Sequence, residues 1–444
     1  GLKAVLVIIL VVLFLVPLYM VSSVIAERGF RSQQVAREVA GKWAKAQTLQ
    51  GPFLIIPSER SDPGSESGQL QARTTGLLPD EFSVVAEVAA ETRSRGIFDS
   101  VVYTSRLRLT GGFSKASLQQ AGFEDGGWRL RMDQAVLALG IDDLRGLQGN
   151  VEATWDESPL EAVPGMPSGA HLPRSGISWQ VAEALIEQKE TVHFDVALTL
   201  RGSLRLAFVP VGKSSSLEMR GDWPSPSFDG QSLPDAREVN EDGFAANWTV
   251  SHLSRPLAQS WTSELDLREA MDDRDWQNLA VGSSFLKPVN FYLLSERSVK
   301  YGLLFVSLLF LTLFLFEVVA GTAVHPLQYL MIGAALVLFF LGLVALAEVL
   351  GFAAAYGLSS GFVVAMVGLY AATVMRRWAW AGWLGAIVTA LYAMLYVILN
   401  LEEAALLAGT VVLFTALALT MYVTRKVDWY GTAKRLPDDG GAVR

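Results

Sequence analysis

The sequence predicts an integral membrane protein: six transmembrane α-helices, one N-terminal and five C-terminal, with a large β-rich α+β domain inserted between helices 1 and 2. Three observations predict it. The composition is mixed, 51% hydrophobic with a mean hydropathy of +0.34 yet 18% charged, too apolar for a soluble domain and too polar for a helix bundle alone. The polarity is segregated: residues 27–297 hold 37 of the 44 acidic and 27 of the 36 basic residues, a net charge of −10. On either side of that block stand apolar runs of about the 20 residues that a bilayer requires.

The first run, Ala4 to Val24, lies between Lys3 and Glu27-Arg28. Val24-x-Ala26 offers the small residues of a cleavage site, but the run exceeds the roughly 7–15 residues of a signal-peptide core, so a retained anchor over residues 1–26 is expected. From Arg31 to Gln47 the apolar positions Val35, Val39, Trp43 and Ala46 recur at helical spacing. This extends the helix as an amphipathic stalk over 27–50.

Beyond Gly51 the period becomes two. Val84, Ala86 and Val88 alternate with polar residues, as do Val192, Phe194, Val196, Leu198 and Leu200, and Trp248 with Val250; Val102, Ser105 and Leu107 to Leu109 do so less cleanly. Such alternation between Gly, Pro, Asp and Ser clusters marks antiparallel strands with one buried face. Lys115–Ala121 is a short helical patch, and 58–73 and 156–176 have loop composition. The β-rich domain thus covers 51–297, with no repeat of a solenoid or propeller.

Hydrophobicity returns in five runs, Val299–Val319, Leu327–Leu350, Phe352–Val374, Ala379–Leu399 and Ala404–Val423, giving a bundle over 298–424 and a tail over 425–444. The breaks at Gly321, His325-Pro326, Gly351, Arg376-Arg377 and Asn400 carry helix-ending chemistry. Six spans put both termini on one side. Arg376-Arg377, Arg425, Lys426, Lys434 and Arg435 share the side of Lys3, while Glu402-Glu403 face the other, so the positive-inside rule makes the termini cytoplasmic and exports the domain. Arg28, Arg31, Arg37, Lys42 and Lys45 pull the other way, but long domains translocate largely regardless of charge. Trp378, Trp380, Trp383, Trp429 and Tyr430 fit an aromatic belt at the inner face.

The acidic domain lacks a basic, aromatic-interleaved patch, which excludes nucleic-acid binding. With no cysteine, disulfides, thiolate metal sites and cysteine nucleophiles are excluded as well. No His-Glu-x-x-His, Gly-x-Ser-x-Gly or dinucleotide fingerprint occurs, so no catalytic, cofactor-binding or metal residue is assigned and no cofactor is expected. Gly212-Lys213-Ser214 resembles the end of a phosphate loop, but Ala207 stands where that loop needs glycine, and the segment reads as a hairpin turn. Ser284-x-x-Lys287 has acylase spacing without its partner motifs. His171, His193, His252 and His325 are scattered, with no neighbours that complete a metal site.

Two groups of residues remain as candidates. Glu317 and Glu348 are the acidic residues of the spanning helices, and intramembrane carboxylates mark function unless they merely reach interfacial water. The functional reading pairs Glu317 with His325 or Gln328 at a cytoplasmic corner that also carries Tyr329. Gly357-x-x-x-Gly361 would let another helix approach closely. In the domain, Trp223, Pro224, Pro226 and Phe228 form a proline-stiffened block, either a partner-docking loop or an inter-strand corner with its aromatics in the core.

Phe316-Glu317, His325-Pro326-Leu327-Gln328-Tyr329-Leu330 and Ala347-Glu348 together with Trp223-Pro224-x-Pro226-Ser227-Phe228 and Leu233-Pro234 resemble the CreD family of bacterial inner-membrane proteins. Gly51-Pro52-x-Leu54-x-Ile56-Pro57 and Asp428-Trp429-Tyr430 extend the resemblance over nearly the whole chain. The resemblance implies an inner-membrane location with a periplasmic domain, expression under a sensor-kinase system, and a role in envelope integrity and tolerance of agents such as colicins or β-lactams. It implies no catalytic activity and carries no catalytic residues. The expected function is therefore envelope support through a periplasmic partner, another envelope protein, or the membrane surface. The alternative is handling of a bound lipid or amphiphile in an apolar cavity between the periplasmic domain and the helix bundle. A proton- or ion-coupled transporter is disfavoured, because midplane carboxylates and matching broken helices are missing. The composition does not specify an oligomeric state.

Overall fold

The computed structural model describes residues 2–61, 70–96, 98–123, 128–167, 173–181, 189–263, 278–285, 291–320, 324–375, 378–401 and 404–425. His171, Lys287, Gly321, Arg376-Arg377, Glu402-Glu403, Lys426, Asp428-Trp429-Tyr430, Lys434 and Arg435 lie outside the described residues. Contacts divide the chain into two compact units, Gly1–Arg31 with Val289–Arg444, and Ser32–Pro288. The described helices are α1 (Leu2–Leu13), α2 (Leu15–Trp43), α3 (Lys115–Phe123), α4 (Phe291–Lys300), α5 (Gly302–Ala320), α6 (Pro326–Leu350), α7 (Phe352–Met375), α8 (Trp378–Asn400) and α9 (Ala405–Thr424).

In the helical unit, five helices are long and apolar enough to cross a membrane, or six if the bent pair α4 and α5 counts as one span. The last four fall within two residues of the apolar runs at both ends. The run at 299–319 is different: the helix breaks at Tyr301 with a 45° bend, so α4 occupies residues expected in the β-rich domain. The N-terminal helix also breaks, at Phe14, because Pro17 has no N–H for the Leu13 carbonyl. Phe14, Leu18, Val21 and Ile25 recur on one helical face and pack with Phe305, Leu309 and Phe310 of α5 and Leu336, Phe339 and Phe340 of α6.

The β-rich unit begins with the end of α2. The stalk expected to reach residue 50 ends at Trp43, and Gln47 already opens a strand. Local chemistry explains the stop. Arg93 and Arg201 stack on the Trp43 ring at 3.9 and 4.2 Å, Arg145 donates to the Gly41 carbonyl at 2.9 Å as a C-terminal cap, and the buried Gln47 side chain exchanges bonds with the Asp143 backbone.

The strands, in chain order, are β1 (Gln47–Ser61), β2 (Leu70–Leu77), β3 (Glu81–Arg95), β4 (Phe98–Ser114), β5 (Arg129–Leu130), β6 (Val136–Ile141), β7 (Leu147–Trp155), β8 (Ser158–Leu160) and β9 (Ala162–Pro164). They continue as β10 (Gly176–Gln180), β11 (Thr191–Ser203), β12 (Arg205–Phe208), β13 (Ser214–Gly221), β14 (Pro226–Gly230), β15 (Ala236–Asn240), β16 (Gly243–Ser251), β17 (Ser260–Thr262) and β18 (Val281–Phe285). Ten belong to a mixed sheet ordered β14-β18-β12-β1-β6-β10-β9, with β2 and β5 on β1 and β17 on β2. Eight form a second sheet, β15-β16-β13-β3-β4-β11-β7-β8. Apolar side chains of both sheets share one core.

The two sheets differ in how they meet solvent. In the ten-stranded sheet consecutive residues, which point to opposite faces, are both buried: Phe53, Leu54, Ile55 and Ile56 on β1, and Leu137, Ala138 and Leu139 on β6. At Gly51-Pro52 the β1–β6 register shifts, since Pro52 cannot donate and Gly51 takes a φ of +104° that favours glycine. The eight-stranded sheet instead alternates strictly along β3, β11 and β13, with Val84, Ala86, Val196, Leu198 and Met219 inward and polar residues outward. Its other face is covered by the end of α2 where Arg93 and Arg201 hold Trp43, and is open farther along β13, β3, β4 and β11.

Asp143, at the corner that fixes the start of β1, predicts an acid dependence. Bonds from Arg145 at 2.7 and 2.9 Å, and secondarily from the Lys45 and Arg145 amides, overcome burial and hold its carboxyl down to about 2. Its folded value lies below its unfolded one, so the stabilisation is fully present above the unfolded pKa and is lost as pH falls towards 2. Discounted for the exposed Arg145, it is on the order of 1–2 kcal/mol. Asp143→Asn should be destabilised relative to wild type at pH 7, and the gap should shrink between pH 4 and pH 2 in thermal unfolding of the full chain. A gap independent of pH would refute this.

Candidate functional site

Each acidic residue singled out in the spanning helices receives a tyrosine hydroxyl from a neighbouring helix. Tyr329 of α6 donates to Glu317 of α5 at 3.3 Å, and Tyr292 of α4 donates to Glu348 of α6 at 3.1 Å, with Arg28 of α2 at 3.9 Å from the same oxygen. Tyr329 and Glu348 lie 19 positions apart on α6, about 28 Å along the axis, close to the thickness of a hydrocarbon core. The two contacts therefore occupy opposite ends of one span. That is where a carboxylate meets interfacial water at least cost, and it places neither at mid-depth.

The expected partners of Glu317 are engaged elsewhere. His325 is the N-cap of α6: its ring accepts the Leu327 amide at 3.2 Å, while the Gln328 side chain accepts the His325 amide at 2.9 Å, and Pro326 starts the helix. This is a capping box with histidine in the serine position. Sequence spacing brought Glu317 and the corner together, but the donor to its carboxylate is Tyr329, which faces α5, whereas His325 and Gln328 bond at their own helix end. Gly357 and Gly361 serve no packing within the chain, as a Cβ at either position would meet nothing within 4 Å.

The proline block is built as an inter-strand corner. Pro226 to Gly230 form β14, paired with β18; Phe228 packs edge-on against Phe244 and Trp248 at 5.9 and 5.7 Å, and Trp223 lies against the same core. Pro224 is the exposed one of the four, and Trp223 and Phe228 are half-buried against the core. Gly212-Lys213-Ser214 is not a hairpin turn. It carries the chain from β12 in one sheet to β13 in the other, where β13 runs parallel to β3. There Asp80 accepts from Lys213, from Ser117 at 2.7 Å and from the Ser114 amide at 2.7 Å. Burial acts to raise the Asp80 carboxyl, but these bonds outweigh it and hold it below the ordinary range. Lys213 Nζ is also 2.8 Å from Ser117 Oγ, the spacing of a serine–lysine nucleophile. Ser117 is buried and Lys213 is ion-paired to Asp80, so the pair joins the two sheets and activates nothing.

The feature that sequence reading missed is on the open part of that sheet face. A cross-strand row of short side chains, Ser216, Ser83, Thr110, Asp195 and Thr154, leaves a trough of ≈ 580 Å³. Glu81, Asp156, Glu157, Asp195 and His193 border it, and among the described residues no Lys or Arg lines it. Asp195 is held by Arg108 and Asp156 by Lys189 from outside the lining. Asp156 and Glu157 have left-handed φ values of 49° and 74°, in a two-residue turn where Asn or Gly is less strained. A second depression of ≈ 510 Å³ lies on the same strands between Glu87, Arg106, Arg220 and Asp242. The signal was present as Ser and Thr at alternate positions, but only strand order places them side by side. By contrast, the apolar void between Phe82, Phe208, Trp248 and Val281 measures ≈ 10 Å³, room for one water and not for an acyl chain.

No group of three His, Asp or Glu suited to a metal occurs among the described residues. Ser284 bonds to Asp229 within the ten-stranded sheet, and His252 contacts the Lys213 carbonyl at 3.1 Å.

Several apolar helices and a large β-rich domain define a multi-pass membrane protein. The chain belongs to the CreD family of inner membrane proteins: the family model described as inner membrane protein CreD matches residues 1–430. It is 30% identical over 431 residues to the inner membrane protein CreD of Escherichia coli strain K12, covering 95% of this chain and 91% of that one. Among solved structures, a mutant M1 zinc metallopeptidase from Deinococcus radiodurans bound to a Tyr-Ser-Ala substrate aligns at 10% identity and a TM-score of 0.21, over 39% of each chain. A second structure of the M1 zinc metallopeptidase from Deinococcus radiodurans aligns at 9% identity and a TM-score of 0.21, over 39% of this chain and 38% of that one. A TM-score this low supports no inference about fold or activity.

Proposed function

We propose that this protein supports envelope integrity by holding another envelope protein on the open face of its eight-stranded sheet, with the domain periplasmic and both termini cytoplasmic. The observation that supports it is the contrast between the sheets. One is buried on both faces along β1 and β6, whereas the other presents hydroxyls and carboxylates over a trough of ≈ 580 Å³ and mixed charges, Glu87, Arg106, Arg220 and Asp242, over a depression of ≈ 510 Å³. The trough lining is acidic, and complementarity favours a partner segment carrying Lys or Arg. Catalysis is not part of the proposal.

A photo-crosslinking amino acid at Ser216 or Thr110 should capture one protein in living cells, and the same group at Pro224 should not. Capture of lipid alone, or equal capture from all three positions, would reject the reading.

A further inference from the structure

We propose that α4 is a releasable element, held in its bent position by the Tyr292–Glu348 contact and not by the packing of its own buried face. Of its buried residues, Tyr292, Ser295, Ser298 and Val299, three carry hydroxyls and one is aliphatic. Ser295 and Ser298 are fully buried, and neither hydroxyl has a hydrogen-bond partner. Ser359 of α7 is likewise buried without a partner, whereas Ser307, Thr312, Ser360, Thr389 and Thr410 each donate to the carbonyl four residues back, at 2.7–2.8 Å. An unpaired buried hydroxyl opposes the docking that buries it, so the contact face of α4 works against itself twice.

The polar end contact works in the opposite direction. The Tyr292 hydroxyl reaches the mostly buried Glu348 carboxylate at 3.1 Å, and Arg28 stands 3.9 Å from the same oxygen. Leu293, Arg297 and Lys300 face outward, and ten residues are too few to sustain a helix unaided. With the 45° elbow at Tyr301, α4 has a hinge at one end and a latch at the other.

The natural chain contains no cysteine, so one introduced thiol reports alone. Ser298→Cys in the full-length protein, in lipid discs, should react slowly with a water-soluble maleimide. Adding Tyr292→Phe or Glu348→Gln should speed labelling at 298 by roughly ten-fold, the factor implied by losing a hydrogen bond to a charged group. Ala335→Cys, buried in α6, should stay slow in the same backgrounds. Ser295→Ala, which removes one opposing hydroxyl, should slow labelling at 298 again in the Tyr292→Phe background. Unchanged labelling at 298 in both latch variants, or equal acceleration at 335, would overturn the proposal.

Discussion

Replacing Gly333 by leucine is expected to unseat the N-terminal span from the bundle. A Cβ at 333 would fall 2.3 Å from the Phe14 ring and 2.9 Å from Phe310. Phe14 is 5% exposed and meets Phe310 edge-on at 5.7 Å, so the ring has no vacant space to enter. Within a bilayer the helices are held by close packing, since lipid is as apolar as leucine, and a forced separation loses that packing directly. The cost should be about 3 kcal/mol, lowering the temperature at which the detergent-solubilised protein stays monodisperse by roughly 6–12 °C. Gly357→Leu supplies the contrast. Its Cβ meets nothing within 4 Å, and the variant should match wild type. Similar losses from both glycines would mean that the helix face assigned to Phe14 is wrong.

Arg255→Met should be comparably damaging in the other unit. Arg255 is 5% exposed, and its guanidinium donates to the carbonyls of Val211 at 2.6 Å and Gly212 at 3.0 Å and to the Gln259 side chain at 2.8 Å. Burial pulls its pKa down to about 10, still well above neutrality, so it remains a cation bound by neutral acceptors. Methionine fills much of the volume but leaves two carbonyls unpaired at the corner where the chain changes sheets. A loss of about 3–5 kcal/mol follows. Hydrogen exchange should quicken in β13 and β16, which start or end at that corner, and less in β7 and β8 on the far side of the sheet. Uniform exchange across the sheet would show that Arg255 does not hold the corner.

Much of the architecture was legible in the sequence because each signal was local. Apolar runs matched α6 to α9 closely, since a bilayer tolerates few charges and the breaks carried Gly, Pro, Asn or the Arg376-Arg377 pair. Alternation at Val84 to Val88 and Val192 to Leu200 marked the half-open sheet, because a strand with one wet face must alternate. What was not legible depended on contacts between distant segments. Trp43 ends its helix because Arg93 and Arg201, far along the chain, clamp it. Glu317 takes Tyr329 instead of His325 because of the facing of two helices, which spacing alone does not give. The trough exists only once β13, β3, β4, β11 and β7 are laid in order, and no sequence window contains them.

The measurement that tests the account most directly is native mass spectrometry of the full-length protein drawn from its own membrane in lipid discs, alongside a Ser83→Lys, Ser216→Lys double variant. The two lysines would place cations in the acidic trough and leave the buried faces of both strands intact. The account predicts a second protein in stoichiometric amount with the wild type and its loss from the variant, with membrane level and thermal stability unchanged. A single enriched lipid in both preparations, with no protein companion, would contradict it.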